Sequence, residues 1–420
     1  MRKSLLDQIL SEKNLHSAYQ RVYQNQGMAG VDKMKVSALK GYLVKNQEKI
    51  KNQIRQRQFK PQPVLRVEIP KDNGDVRLLG IPTVVDRFLQ QAIYQVISPI
   101  FEKQFHSHSF GYRPNKSCEM AVMKSLEILN NGYCWVVDFD LERFFDLINH
   151  DKLMAVVSRT IKEEAVNTLI KNFLTSGVMI NGKFHHTARG VSQGSSLSPL
   201  LSNIMLGELD QKLVVKRLKF VRYADDTLIF TKTSRTAKRV MKSVSRYITG
   251  QLGLVVNMDK SHVSPPEEVK FLGFSYVKFK SWQAIPHPES VKKLQGKIKD
   301  LTNQNLRLAL NVRNDKLKQS IQGWVVYFRM ADMKDMLVAV DGELKFRMRV
   351  VIWKGWVAQN RQIISLVKLG IEPKEAERLA WSWKGDYFIG NSRVLQRALS
   401  DERLKEMGVP SVVDCYLRYR

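Results

Sequence analysis

The sequence predicts an α+β fold, and three observations predict it. Short β-branched and aromatic runs, "YCWVVDFDL" at 133–141 and "FVRYADDTLIF" at 220–230, have the bulk of buried strands and end in or contain acids. Between such runs lie stretches with apolar residues three and four apart, the signature of amphipathic helices. Beyond about residue 285 the strand signals stop, and basic, aromatic helical patterns take over. The 420 residues fit about two or three domains, each able to bury a core.

In chain order, residues 1–60 read as helices, with "LLDQILSEKNLHSAYQRVYQN" broken by "GMAGVD". "VLRVEIPKDNGDVRLLGIP" (64–82) reads as a hairpin, since alternating apolar residues flank the turn signal "KDNGD". A helix follows in "VVDRFLQQAIYQVISPIFEKQF", then the strand at 133–141 and helices through "HDKLMAVVSRTI" and "EEAVNTLIKNFL". Gly/Ser-rich "ARGVSQGSSLSPLLSN" leads into a helix through "IMLGELDQKLVVKRL", the strand pair of "FVRYADDTLIF", a helix over 234–252 and strand-like "VKFLGFSYVKF". One domain boundary is expected near "AIPHPES" and a softer one near 360; there is no internal repeat.

The net charge of +28, from 68 Lys+Arg against 40 Asp+Glu, is spread along the whole chain. Self-repulsion on that scale calls for a polyanionic partner, and the spread favours nucleic acid over an anionic membrane. No run approaches the roughly 18 apolar residues of a spanning helix. Charges interrupt "MRKSLLDQILSEKN" too often for a signal peptide, so a cytoplasmic protein without a membrane partner is expected. Cys118, Cys134 and Cys415 are too far apart for a zinc ribbon, a redox pair or a disulfide framework. The histidine pairs at 106–109 and 185–186 lack supporting ligands at metal-site spacing.

The chemistry concentrates in the acids. Asp225 and Asp226 are adjacent, and successive strand residues face opposite ways, so both reach one site only if the chain turns there. Asp138 and Asp140, two apart, share one face of the earlier strand. A strand-end carboxylate together with the turn pair can hold two divalent cations for phosphoryl transfer. All-oxygen ligation selects Mg²⁺.

"YADD", "DFDLERFFDLINHDKLM", "GVSQGSSLSPLLSNIML" and "FLGF" resemble the ordered palm motifs of reverse transcriptases. "NLHSAYQRVYQNQGMAGVDKM", "VEIPKDNGDVRLLGIPTVVDRFLQQAI", "HSFGYRPNKS" and "IQGWVVYFRMADMKDML" are similar to the proteins encoded by bacterial group II introns, in order from about residue 5 onward. The resemblance implies a right-hand polymerase with fingers and palm, a helical thumb/maturase domain and a small C-terminal DNA-binding segment. It divides the chain into an N-terminal extension with the first fingers helices (1–60), fingers and palm (61–284), thumb/maturase (285–360) and DNA-binding segment (361–420).

By the same resemblance Asp140 is chosen over Asp138, because the family's acid lies four residues before the Phe-Phe pair. Asp140, Asp225 and Asp226 are then the catalytic metal ligands, joined by the Leu141 carbonyl, and two Mg²⁺ are the cofactors. Phe145 matches the residue that excludes a 2′-hydroxyl. Lys71 and Arg77 match the triphosphate grip of the fingers hairpin. Gln193 and Gly194 match the nucleotide contact, and Lys260 the lysine that meets pyrophosphate. Where the family usually has Pro before the Gln, and often Gly two residues after it, this chain has Ser192 and Ser195. That departure implies an altered rate or fidelity.

In the basic helical segment, Lys292, Lys293, Lys297, Lys299, Arg347, Arg349 and Lys354 are expected to contact phosphates, while Trp324, Tyr327, Phe328, Phe346, Trp353 and Trp356 read mostly as helical core. The implied partners are group II intron RNA, an RNA template–DNA primer duplex, target DNA and dNTPs. Monomer and dimer both fit, and the protein would be nucleoid-associated when on DNA. No paired cysteines build an H-N-H endonuclease, so the compact class C type is expected. Two other readings are a related reverse transcriptase recruited to host defence or DNA repair, and an RNA-binding splicing factor without polymerase activity. The latter predicts decayed carboxylates, and all three acids are present.

Overall fold

The computed structural model describes residues 3–70, 74, 76–303 and 305–420. They form two compact units, residues 1–266 and 267–420. The division falls one hairpin ahead of the change in sequence character near 285.

The first unit opens with three helices, α1 (Leu5–Ile9), α2 (Glu12–Asn25) and α3 (Leu39–Arg55). Their apolar faces (Leu15, Ala18 and Val22 on α2, for instance) are buried in a core shared with the palm. Glu163 fixes the start of α1, its carboxylate accepting the backbone N–H groups of Leu5 (2.7 Å) and Leu6 (3.0 Å). That satisfies two donors which the first helical turn leaves unpaired.

The hairpin β1 (Val64–Pro70) and β2 (Val76–Ile81) forms as the alternation predicts, with Leu65 opposite Ile81. Helix α4 (Val84–Glu102) follows. Thr83 Oγ1 accepts the Asp86 N–H (3.1 Å) and donates to the Asp86 carboxylate (2.7 Å), closing a cap at its first turn. Next come α5 (Cys118–Asn130), β3 (Trp135–Phe139), the single turn α6 (Phe144–Leu147), α7 (His150–Thr160) and α8 (Glu164–Leu174).

One hairpin has no counterpart among the elements expected from sequence. Strands β4 (Val178–Ile180) and β5 (Lys183–His185) are joined by Asn181 and Gly182, both at positive φ. Asn-Gly at these positions is the strongest short hairpin signal, since both central residues of that turn need the left-handed region. With β4 parallel to β1, the fingers sheet has the order β2-β1-β4-β5.

Helix α9 (Ser198–Val215) is buried on nearly every side. Strands β6 (Lys219–Tyr223) and β7 (Asp226–Thr231) then form the hairpin that carries the paired acids. After α10 (Ser234–Tyr247), β8 (His262–Ser264) completes the palm sheet, order β6-β7-β3-β8. Val136, Val137, Leu228 and Ile229 are fully buried in that sheet, whose apolar bulk accounts for its strand character.

In the second unit, β9 (Phe274–Lys278) and β10 (Trp282–Pro286) pair antiparallel and precede α11 (Pro288–Leu301), α12 (Leu310–Phe328) and α13 (Lys334–Gly355). Shorter helices run on to the last, Val412–Tyr419. Trp324 packs on Phe328 (ring centroids 4.5 Å apart) and Phe328 on Phe274 (4.8 Å), so these aromatics build core, as expected. Among the described residues no helix is long and apolar enough to cross a membrane.

Candidate active site

The β6–β7 hairpin answers how two adjacent acids reach one place. Tyr223 pairs with Asp226, leaving only Ala224 and Asp225 to make the turn. Ala224 takes φ +57°, the left-handed region, at a cost of about 1–2 kcal/mol for a residue with a side chain. The surroundings hold it there. Arg222, fully buried, donates from Nη1 to the Ala224 carbonyl and to Asn203 Oδ1, both at 2.9 Å. Its Nε and Nη2 bind the two oxygens of buried Asp210 at 2.8 and 2.6 Å. Asn203 in turn donates to the Gly111 carbonyl at 2.9 Å.

Gly111 lies flush against the turn: a Cβ there would sit 2.3 Å from the Ala224 nitrogen. The sequence reading assigned no role to Arg222, Asp210 or Asn203. The available signal was a charge set among apolar neighbours in each of two elements, Asp210 between Leu209 and Leu213 on the helix and Arg222 after Phe220 and Val221 in the strand, an arrangement that burial tolerates only as a pair.

Strand β3 delivers the third acid. Phe139 pairs with Thr227, so Asp140, one residue beyond, emerges beside the hairpin turn. The 255–261 segment pins its backbone. Asp140 N–H donates to Ser261 Oγ (3.0 Å), its carbonyl accepts the Asn257 N–H (2.9 Å), and Leu141 bridges to Val256. Asp138, on the same face of β3, sits opposite His262 of β8. Burial first, then the Asp140 charge, push the Asp138 carboxyl up to about 6, against the opposing pull of His262. It is a neighbour of the cleft, not part of its wall.

An open cleft of about 720 Å³ lies in front of these elements, in the size range of a nucleotide site. Asp140, Leu141, Phe145, Gln193, Asp225 and Lys260 all line it. Asp226 does not; it stands behind, at the start of β7. Part of its surface remains in solvent, but dense protein around the carboxyl, followed by the charges of Asp138, Asp225 and Asp140, pushes its pKa well above the carboxylate range. Among the described residues the acids do not close into a ready-made three-ligand cluster. They do repel one another through all-oxygen donors, a set that suits a hard divalent cation.

The nucleotide-side residues are placed unevenly. Phe145 is buried against Phe144, edge to face at 5.3 Å, with its carbonyl accepting the Val191 N–H at 2.6 Å. Gln193 lines the cleft and its carbonyl accepts the Gly80 N–H at 2.9 Å. Gly194 is not among the residues lining the cleft. Its φ of +128° and the 2.3 Å between an added Cβ and the Gly80 carbonyl show its bareness used against β2, not toward the cleft. Lys260 is exposed in the turn after Asn257. Lys71 lies outside the described residues, as does the side chain of Arg77, whose backbone pairs with Ile69.

The two serine departures differ from each other. Ser195 Oγ donates to Gln90 (2.8 Å) and accepts the Leu197 N–H (3.3 Å), so it ties its loop to α4 and α9. Ser192 Oγ is buried without a partner among the described residues, packed where any side chain at position 80 would stand. One link between fingers and palm emerged only in three dimensions: Arg66 on β1 donates to the Asp146 carboxylate of α6 at 2.7 Å.

Of the expected phosphate contacts, Lys292, Lys293, Lys297 and Lys299 are exposed on α11. The other three pair with acids inside the second unit. Arg347 pairs with Glu343 (2.9 Å) and Lys354 with Asp386 (2.8 Å). Arg349 binds Asp401 (2.7 Å) and the Leu399 carbonyl (2.9 Å). Arg349 and Lys354 tie α13 to the helices that follow it, while the Arg347 pair lies within α13.

A four-stranded palm with acids at the end of one strand and in the adjoining hairpin turn, facing a nucleotide-sized cleft, defines a polymerase of the nucleotidyl-transfer class. The Reverse transcriptase (RNA-dependent DNA polymerase) family matches residues 69–276, and the Group II intron, maturase-specific domain matches 291–365. Protein YkfC of Escherichia coli K12 is 31% identical over 272 residues, which cover 56% of this chain and 71% of that one. Group II intron-encoded protein LtrA of Lactococcus lactis subsp. cremoris is 35% identical over 212 residues, 50% of this chain and 35% of LtrA. The COX1/OXI3 intron 2 protein of Saccharomyces cerevisiae is 27% identical over 412 residues, 84% of this chain and 47% of that one. The chain thus spans less than half the length of the last two. It belongs to the reverse transcriptases, and among them to the group II intron-encoded reverse transcriptase/maturases. Members of this family act on nucleic acid and use a divalent metal ion.

Proposed function

We propose that the chain extends a DNA primer with dNTPs on an RNA template, and that as a maturase it binds its intron RNA to assist splicing and retrohoming. The observation that carries this reading is the convergence of Asp140, Asp225, Phe145, Gln193 and Lys260 on one cleft. Asp140, Asp225 and Asp226, with the Leu141 carbonyl, would hold two Mg²⁺. Metal held by these residues would supply the positive charge that lowers the pKa of the primer 3′-hydroxyl and offsets the triphosphate. Phe145 would bar a 2′-hydroxyl, Gln193 would orient the nucleotide, and Lys71, Arg77 and Lys260 would neutralise phosphate oxygens.

The division into N-terminal extension (1–60), fingers and palm (61–284), thumb/maturase (285–360) and DNA-binding segment (361–420) belongs to this reading. So does a nucleic-acid track along Lys292, Lys293, Lys297 and Lys299, supported by their exposure on one helix. A cytoplasmic, nucleoid-associated protein follows from the same partners.

Primer extension on RNA and DNA templates tests the proposal. Wild type is expected to extend on RNA with Mg²⁺ and to stop in chelator. Asp225→Ala and Asp140→Ala are expected to lose extension by at least about a thousandfold while still binding the primer–template, since both acids act only in the chemical step. Full extension by Asp225→Ala, or by wild type in chelator, would sink it.

A further inference from the structure

Arg222 and Asp210 would be an expensive way merely to join α9 to β6. Leu209, Leu213 and Phe220 already bury those elements against each other, and an apolar pair would do so without desolvating two charges. What an apolar pair could not supply is a fixed fork of donors. Asp210 holds the guanidinium through two bonds, at 2.8 and 2.6 Å, and so aims its remaining nitrogen, Nη1. Nη1 meets the Ala224 carbonyl at 2.9 Å, and that carbonyl belongs to the peptide linking Ala224 to Asp225. From the other direction the Gly111 backbone abuts the Ala224 nitrogen, and Asn203 bonds both Gly111 and Arg222.

Backbone bonds complete the enclosure: Phe110 N–H donates to the Arg222 carbonyl (2.8 Å), and Arg222 N–H donates to the His108 carbonyl (2.9 Å). The strained turn is therefore gripped at the peptide that sets the direction of both acids.

We propose that Asp210, Arg222 and Asn203 are positioning residues for the metal-binding turn, and that they set the enzyme's affinity for its divalent cation. This rests on the reading of Asp225 and Asp226 as metal ligands. Groups that orient ligands from behind commonly govern metal affinity without touching the metal. The fork is essential to the mechanism, so lysine at 222 is a severe change despite its equal charge.

The test compares Arg222→Lys and Asn203→Ala with Leu209→Ala, a core truncation on the same helix that leaves every one of these bonds intact. Terbium luminescence titration of the full chain reads metal affinity directly; primer extension against Mg²⁺ concentration reads it in the working enzyme; thermal denaturation reports folding. Arg222→Lys and Asn203→Ala are expected to weaken terbium binding about tenfold or more and to move the Mg²⁺ midpoint in parallel, with primer–template binding unchanged. Leu209→Ala is expected to lower Tm while leaving both metal constants in place.

If the metal constants of Arg222→Lys and Asn203→Ala stay at the wild-type value, or move only as those of Leu209→Ala do, the trio is structural and the proposal fails. Should Arg222→Lys not fold, Asn203→Ala decides. Terbium binding that Asp225→Ala leaves untouched would overturn the metal reading itself, a result distinct from a wild-type-like Asn203→Ala.

Discussion

Asp225 and Asp226 are neighbours in sequence, but only the first lines the cleft, while burial and three nearby carboxylates push the pKa of the second well above the ordinary carboxylate range. Asp86 presents the same physics without any metal. Burial lifts its carboxyl from the ordinary 3.8 to about 6, despite bonds from Thr83 and the Gln62 N–H that favour the charged form. The folded chain therefore keeps this proton after the unfolded chain has lost it. Stability falls as pH rises through the window from about 4 to about 6, and the loss persists above it. The span is on the order of 3 kcal/mol. Asp86→Asn cannot ionise, so its Tm advantage over wild type is expected to be larger at about pH 7.5 than at about pH 4.5. An equal difference at the two pH values would refute the assignment. Phe145 gives a second prediction at this scale. On the role proposed for Phe145, Phe145→Val would open space beside the nucleotide sugar, and ribonucleotide incorporation relative to dNTP is expected to rise about tenfold or more in a single-nucleotide extension assay.

At the scale of elements, the β6–β7 hairpin was legible because two adjacent charges inside apolar strands leave a turn as the only economical solution. The choice of Asp140 over Asp138 rests on a family spacing; of the two, Asp140 lines the cleft and Asp138 does not. The β4–β5 hairpin carries its own signal in Asn181–Gly182, but strands of only three residues are too short to show an alternating pattern. The Arg222–Asp210 pair was harder to read. Its partners are 12 residues apart along the chain, and no local periodicity links a strand residue to one on a preceding helix. Gly194 shows a comparable limit: a flexible residue in a motif signals close approach but not what approaches. Here the partner is the Gly80 carbonyl, so Gly194→Ala is expected to destabilise the first unit by about 1–3 kcal/mol and to depress extension with every nucleotide alike. Denaturant unfolding, together with extension measured for each dNTP, checks this; normal stability with altered nucleotide selection would contradict it.

For the molecule as a whole, the charge of +28 sets the behaviour with salt. Each phosphate contact contributes about 0.9 to the slope of log affinity against log salt concentration. Replacing Lys292, Lys297 and Lys299 by Gln is expected to flatten that slope by about 2–3 for a primer–template. Arg349→Ala is expected to leave the slope alone and lower Tm, because its guanidinium serves Asp401 and Leu399. A slope changed by Arg349→Ala and untouched by the lysine variant would reverse the two roles. The buried trio beneath the catalytic turn also has a consequence for descent. Losing Arg222 alone strands the Asp210 carboxylate in the core, and losing Asp210 alone strands the guanidinium, each at a cost of about 3–5 kcal/mol. Loss of either partner alone carries that cost, whereas replacing both together leaves no charge stranded. A lineage that keeps its polymerase active inherits Asp210 and Arg222 as one unit, and a lineage freed from polymerisation is expected to change both together.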